Sequence, residues 1–113
     1  MSSTGYVIGN NFQGSASSDL AKYLPVAAGF VSASGSAARG YNYSSYKVDN
    51  STGRYQVNIT SGTANAVGAA VITPYNEYIA WTVYADRGGF QVQLSGGGTN
   101  PQPANASFSF IFV

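Results

Sequence analysis

From Arg54 to Thr60 the chain alternates. Tyr55, Val57 and Ile59 are separated by Arg54, Gln56, Asn58 and Thr60. Successive side chains of a strand point to opposite faces, so this period of two marks a strand with one covered and one wet face. Just before it, Asp49-Asn50-Ser51-Thr52-Gly53 gathers residues that close turns. Asp and Asn bond their own backbone, and Gly accepts positive φ. The loop is longer than two residues, which predicts a type I turn finished by Gly53. Residues 41–60 therefore read as a β-hairpin, and the remaining chain must fold in a way that extends or covers it.

Other stretches repeat the pattern. Residues 26–34 are small and apolar, as expected of a strand packed closely on a neighbour. Residues 67–73 (VGAAVIT) form a nearly continuous apolar run ending at Pro74, which predicts a central strand covered on both faces. Residues 77–85 alternate, with Ile79, Trp81 and Val83 expected inward and Tyr78, Ala80, Thr82 and Tyr84 outward. Asp86-Arg87-Gly88-Gly89 predicts a second hairpin turn. Beyond it Phe90, Val92 and Leu94 are expected inward, Gln91 and Gln93 outward. The last residues alternate Phe108, Phe110 and Phe112 with Ser107, Ser109 and Ile111. Short strands at this spacing predict an all-β fold, an antiparallel β-sandwich of jelly-roll or immunoglobulin-like type. Its expected core is Phe30, Tyr55, Val57, Ile59, Ile72, Trp81, Val83, Phe90, Val92, Leu94, Phe108 and Phe110.

At 113 residues the chain is read as one domain. Residues 26–113 form it, and residues 1–25 are an arm or tether. In the arm, Tyr6-Val7-Ile8 is a short strand or extended contact, and Ser18-Asp19 is positioned to cap one helical turn that Pro25 stops. The first residues lack the basic and apolar regions of a secretion signal, so synthesis in a cytoplasm is expected. No apolar run is long enough to cross a bilayer as a helix, so no membrane insertion is expected.

The inventory of reactive groups is thin. There is no His and no Cys, which removes the commonest general base, the thiolate nucleophile, the disulfide and the usual nitrogen and sulfur metal ligands. The four carboxylates, Asp19, Asp49, Glu77 and Asp86, are scattered. A glycosidase needs two of them converging on one bond, so a small carboxylate-dependent glycan hydrolase is disfavoured. No cofactor and no metal are expected. Gly96-Gly97-Gly98 lacks the strand–helix setting of a phosphate loop. Five basic residues nearly balance the acids, leaving no electrostatic footprint for nucleic acid. Asn-x-Ser/Thr triplets begin at Asn42, Asn50, Asn58 and Asn105, and without a secretion signal they are expected to stay bare. Nine Tyr among many Ser, Asn and Gly is instead the composition of adaptable binding surfaces.

Tyr41, Asn42, Ser44, Ser45, Thr52, Gly53, Tyr55, Val57, Ile59 and Thr60, followed by Ala70, Val71, Thr73 and Pro74, make up a segment that resembles the terminal β-domains of bacteriophage tail fibres and related small virion surface proteins. The apolar ending 107–113 fits the same pattern, and the resemblance spans residues 26–113. It implies a trimer displayed on a virion surface, binding a host glycan or protein, with the arm contacting other virion proteins. Loops 74–77, 86–89 and 95–105 are the expected tip, with Tyr75, Asn76, Arg87, Thr99, Asn100 and Gln102 as candidate receptor contacts. The uncharged outward residues Tyr78, Thr82, Tyr84, Gln91 and Gln93 are the candidate oligomer face, favoured over a sugar site or a plain wet surface. The alternative expectation is a structural capsid decoration or cement protein that stabilises the virion.

Overall fold

The computed structural model describes residues 24–113. Apart from Leu24 and Pro25, the expected arm, with Tyr6-Val7-Ile8 and the capped turn, lies outside the described residues. Eight strands follow in order: β1 (Ala27–Val31), β2 (Ala37–Tyr41), β3 (Tyr43–Lys47), β4 (Arg54–Ile59), β5 (Ala70–Pro74), β6 (Ile79–Asp86), β7 (Gly89–Ser95) and β8 (Phe108–Phe112). They build two four-stranded sheets, β2-β1-β8-β5 and β3-β4-β7-β6. Every pairing is antiparallel, and no helix occurs among the described residues.

The alternation seen in β4, β7 and β8 makes the core. Tyr55, Val57 and Ile59, Phe90, Val92 and Leu94, and Phe108, Phe110 and Phe112 are all buried, together with Ala27 and Val31 of β1. The two sheets face each other through these residues in a sandwich-like arrangement. Tyr55 meets Phe108 across the gap at 5.5 Å between ring centroids, and Phe90 meets Phe110 at 5.1 Å. Each such side chain contributes about 1.5–3 kcal/mol by leaving water.

Two tyrosines join the layers through their hydroxyls as well as their rings. Gly29 faces inward opposite Phe110, and a Cβ there would fall inside the Tyr43 ring. Tyr43 fills that space from the other sheet, edge-on to Phe110 at 4.9 Å. Its hydroxyl lies within hydrogen-bonding distance of the carbonyls of Phe30 (2.9 Å) and Arg39 (2.6 Å). The Tyr55 hydroxyl donates to the Ala33 carbonyl (2.6 Å) and accepts from the Ala106 N–H (3.2 Å). Burial pushes both phenols above their ordinary pKa, because the phenolate would lose its water. Between β2 and β3, Asn42 turns the chain from one sheet to the other at φ 66°. Its amide donates to the carbonyls of Val26 and Ser61, and its Oδ1 accepts from the Ser61 N–H.

The first hairpin forms between β3 and β4, from Tyr43 to Ile59, with Gly53 at φ 75° and the Val48 N–H bonded to the Arg54 carbonyl. In the second, Asp86 pairs with Gly89, and the Asp86 carboxylate accepts the Gly88 N–H at 2.8 Å.

Four expectations are corrected. Counted regularly back from the second turn, Trp81 would stand opposite inward Leu94. Instead β6 carries a bulge: Thr82 pairs with Val92 and Tyr84 with Gln91, leaving Val83 extra. Beyond the bulge every side chain changes face. Trp81 therefore pairs with Gln93 and Ile79 with Ser95, and Trp81 and Val83 are exposed, not core. Tyr78 and Ala80 pack against the core in their place. Second, Phe30 stands opposite Ser109 on an outer face, half-buried between the Arg39 guanidinium at 4.4 Å and the Tyr75 ring at 5.0 Å. Third, β5 is an edge strand with Val71 exposed, because only β8 pairs with it. Fourth, Tyr41, read as part of the first hairpin, ends β2 on the other sheet, paired with Ala28; β2 itself, AARGY, shows no alternation, since all five residues are exposed.

Candidate functional site

The outer face of β3-β4-β7-β6 holds an ordered set of aromatic and amide side chains. The pairings Tyr46–Gln56, Gln56–Gln91 and Gln91–Tyr84 are in register, so one row crosses all four strands. With strands about 4.8 Å apart, it runs roughly 14 Å from ring to ring. The neighbouring row is Arg54–Gln93–Trp81. Trp81 and Tyr84 share this face only because of the Val83 bulge. Bulges are frequent where an edge strand must re-aim a side chain.

Hydrogen bonds fix the floor of this face. Gln56 is 6% exposed. Its Oε1 accepts from the Tyr84 hydroxyl (2.8 Å) and from Gln91 Nε2 (3.2 Å), while its Nε2 donates to Asn58 Oδ1 (3.0 Å). Gln93, equally buried, donates through Nε2 to the carbonyls of Thr52 and Leu94 (both 2.9 Å) and accepts from Arg54 Nε at 3.1 Å. The bond through Nε occupies one of the five guanidinium donors of Arg54. Above this floor Trp81 remains 50% exposed, with Tyr46 and Tyr84 similarly open. An indole half in water is an uncompensated apolar surface beside oriented polar groups.

Charge is nearly absent here. Arg54 is the one formal charge in the two rows. Lys47 stands opposite inward Tyr55 and donates to the Ser51 carbonyl, and Asp86 belongs to the hairpin turn.

The expected site residues separate into groups. The turn between β5 and β6, with Tyr75 and Asn76, lies beside the β7–β8 loop, with Thr99, Asn100 and Gln102. Asn76, Glu77, Tyr78, Gly97 and Gly98 line a cleft of about 390 Å³ between them. Tyr75 also reaches over the other sheet, edge-on to Phe30. Arg87 sits at the opposite end, where it donates to the Ala64 carbonyl. Seven residues of β7 separate the ends, so the three expected loops do not form one tip. Of the expected oligomer face, Tyr84, Gln91 and Gln93 do share a surface. Thr82 stands opposite inward Val92 and Tyr78 leans on the core, so neither belongs to it. Sequence reasoning missed Tyr46, Arg54 and Trp81 as members of this face. The outward parity of β4 already offers Gln56 to it and was the available signal for Arg54, and nothing in the sequence marks the bulge that delivers Trp81.

The described carboxylates, Asp49, Glu77 and Asp86, are exposed on three different turns. No group of three or more His, Cys, Asp or Glu side chains close enough to hold a metal occurs among the described residues. Comparison with protein-family models, with curated proteins and with solved structures finds no match to this chain.

Proposed function

We propose that this chain is a non-enzymatic virion surface protein, a module like the head of a bacteriophage tail fibre that attaches the particle to a glycan or protein of the host surface. The observation that carries this reading is the aromatic–amide face of β3-β4-β7-β6, with Trp81 exposed above a fixed hydrogen-bonded floor. Such a face stacks and hydrogen-bonds a partner without desolvating full charges. The ends of the described domain support it. Ala27 and Phe112 are paired neighbours, so the domain leaves its attachment from one end and presents the β5–β6 and β7–β8 loops at the other. The protein is made in the host cytoplasm and carried on the particle. The test is binding of labelled full-length protein to a panel of bacterial cells. Saturable binding that competes with phage adsorption supports attachment, and its absence on cells adsorbing the parent phage refutes it.

A second reading, a capsid decoration or cement protein, is favoured by a different surface. On the outer face of β2-β1-β8-β5, Val71 and Ile111 are cross-strand neighbours, and both are exposed, as is Tyr41. Covering such a patch with a second copy suits a closed oligomer, and the tail-fibre resemblance makes that oligomer a trimer. Immunogold labelling of intact particles separates the readings, since a fibre head is labelled at the tail and a cement protein over the capsid.

A further inference from the structure

We infer that the rows Tyr46–Gln56–Gln91–Tyr84 and Arg54–Gln93–Trp81 form a binding site for a neutral pyranose glycan, an extended oligosaccharide laid along the sheet face. The inference rests on the attachment reading and names the ligand class of the same site. Three features of the face select that chemistry. A pyranose presents an apolar C–H face and a rim of hydroxyls. The exposed Trp81 indole and the Tyr84 ring lie side by side on β6, opposite Gln93 and Gln91, which places them roughly 7 Å apart along the strand. That spacing offers consecutive stacking surfaces to a chain of rings. The third ring, Tyr46, lies across the sheet at the far end of the row, giving a branch or a longer chain a further platform.

The polar groups match hydroxyls better than they match a peptide or an anion. A hydroxyl both donates and accepts, and so does a carboxamide. Gln56 and Gln93 spend their hydrogen bonds on holding their neighbours, so Gln91 and the Arg54 guanidinium are presented in fixed positions and lose little freedom on binding. A peptide adding to a sheet would use the backbone of an edge strand, not a side-chain face. An acidic sugar would call for several cations, and the rows hold one guanidinium, already tied to Gln93 at 3.1 Å. The charge balance therefore points to neutral sugars.

The experiment uses full-length biotinylated protein on streptavidin, which supplies the multivalency that weak sugar sites need. It is applied to an array of neutral gluco-, galacto- and manno-oligosaccharides together with sialylated and sulfated glycans. Neutral oligosaccharides are expected to bind. Trp81→Ala should lower the apparent affinity about tenfold, the equivalent of one lost stacking contact. Tyr84→Phe keeps its ring but unlocks the Gln56 amide, and should lower it about threefold. Thr73→Ala, on the opposite sheet, should change nothing, and matching far-UV spectra and melting curves identify any variant that is simply unfolded. Binding confined to sialylated or sulfated glycans overturns the neutral class. Binding to bacterial cells that survives both periodate oxidation of the cells and Trp81→Ala overturns the glycan site while leaving attachment standing. Neutral-glycan binding lost in Trp81→Ala, without any binding to cells, upholds the site and overturns attachment. No binding on the array overturns the inference.

Discussion

Replacing Tyr55 by Phe isolates one oxygen atom on which the two sheets depend. The ring stays, so its packing against Phe108 and the volume of the core are preserved, and no cavity term enters. What is lost is the bond to the Ala33 carbonyl and the bond from the Ala106 N–H. Ala33 is exposed, so water can replace the donor there, and the loss is about 1 kcal/mol. Ala106 is buried, so its N–H is left without a partner, at about 1–3 kcal/mol. Together the substitution should destabilise by about 2–4 kcal/mol. With a urea dependence of about 1–3 kcal/mol per molar, the unfolding midpoint should fall by about 0.7–4 M, read by far-UV circular dichroism near neutral pH. The same oxygen predicts an alkaline effect. The folded-state pKa of Tyr55 is raised above the ordinary value of 10.0, so the folded protein keeps a proton that the unfolded chain has released. Its contribution is whole below about pH 10 and declines as pH rises past that value, by up to about 1.4 kcal/mol per pH unit. Tyr55→Phe should flatten this decline, leaving a residue from Tyr43, which shifts the same way. A midpoint within about 0.3 M of the parent, or an unchanged alkaline decline, would refute the placement of Tyr55.

Other substitutions test separate parts of the account. Trp81→Ala should cost less than about 1 kcal/mol of stability, and the native protein should show the red-shifted emission of a solvated indole; a blue-shifted emission would return Trp81 to the core. Gly29→Ala forces the Tyr43 ring aside and should destabilise by about 1–3 kcal/mol, measured by urea unfolding. Ile111→Lys should lower the oligomeric state in sedimentation without lowering the monomer's secondary structure, and a monomeric parent across the micromolar range would count against self-association. Single changes of Lys47, Asp49, Glu77 or Asp86 to Ala should leave cell binding within about twofold; loss of a glycan-cleaving activity in any one of them would establish catalysis instead.

The core was legible in β4, β7 and β8, where the apolar residues fall on one face, so Tyr55, Phe90 and Phe108 announce their own orientation. Elsewhere the pattern misleads. β2 could dispense with a pattern because none of its residues enters the core, and the apolar run of β5 looked central although one side of it is open. Half of the candidate site was visible for the same reason: Gln56, Gln91 and Gln93 follow the parity of central strands. Trp81 was assigned to the wrong face by a single residue. A bulge at Val83 costs little on an edge strand, where no second neighbour demands regular pairing, and it leaves no signature in a stretch as ordinary as Trp-Thr-Val-Tyr. Tyr46 escaped notice because β3 is half-exposed along its length.

The pairing of β1 with β8 has a mechanical consequence. Ala27 lies beside Phe112 and Val31 beside Phe108, so tension applied between the two ends of the domain would peel these strands apart one hydrogen bond at a time. Tension between those ends and a ligand gripped on β6 or at the far loops acts along the strands instead. The bonds of an antiparallel ladder run across the strands, so such a pull shears many of them at once, and the rupture force rises accordingly. A domain loaded in this second way resists a drag along its strands, yet unzips at low force when its two ends are pulled apart.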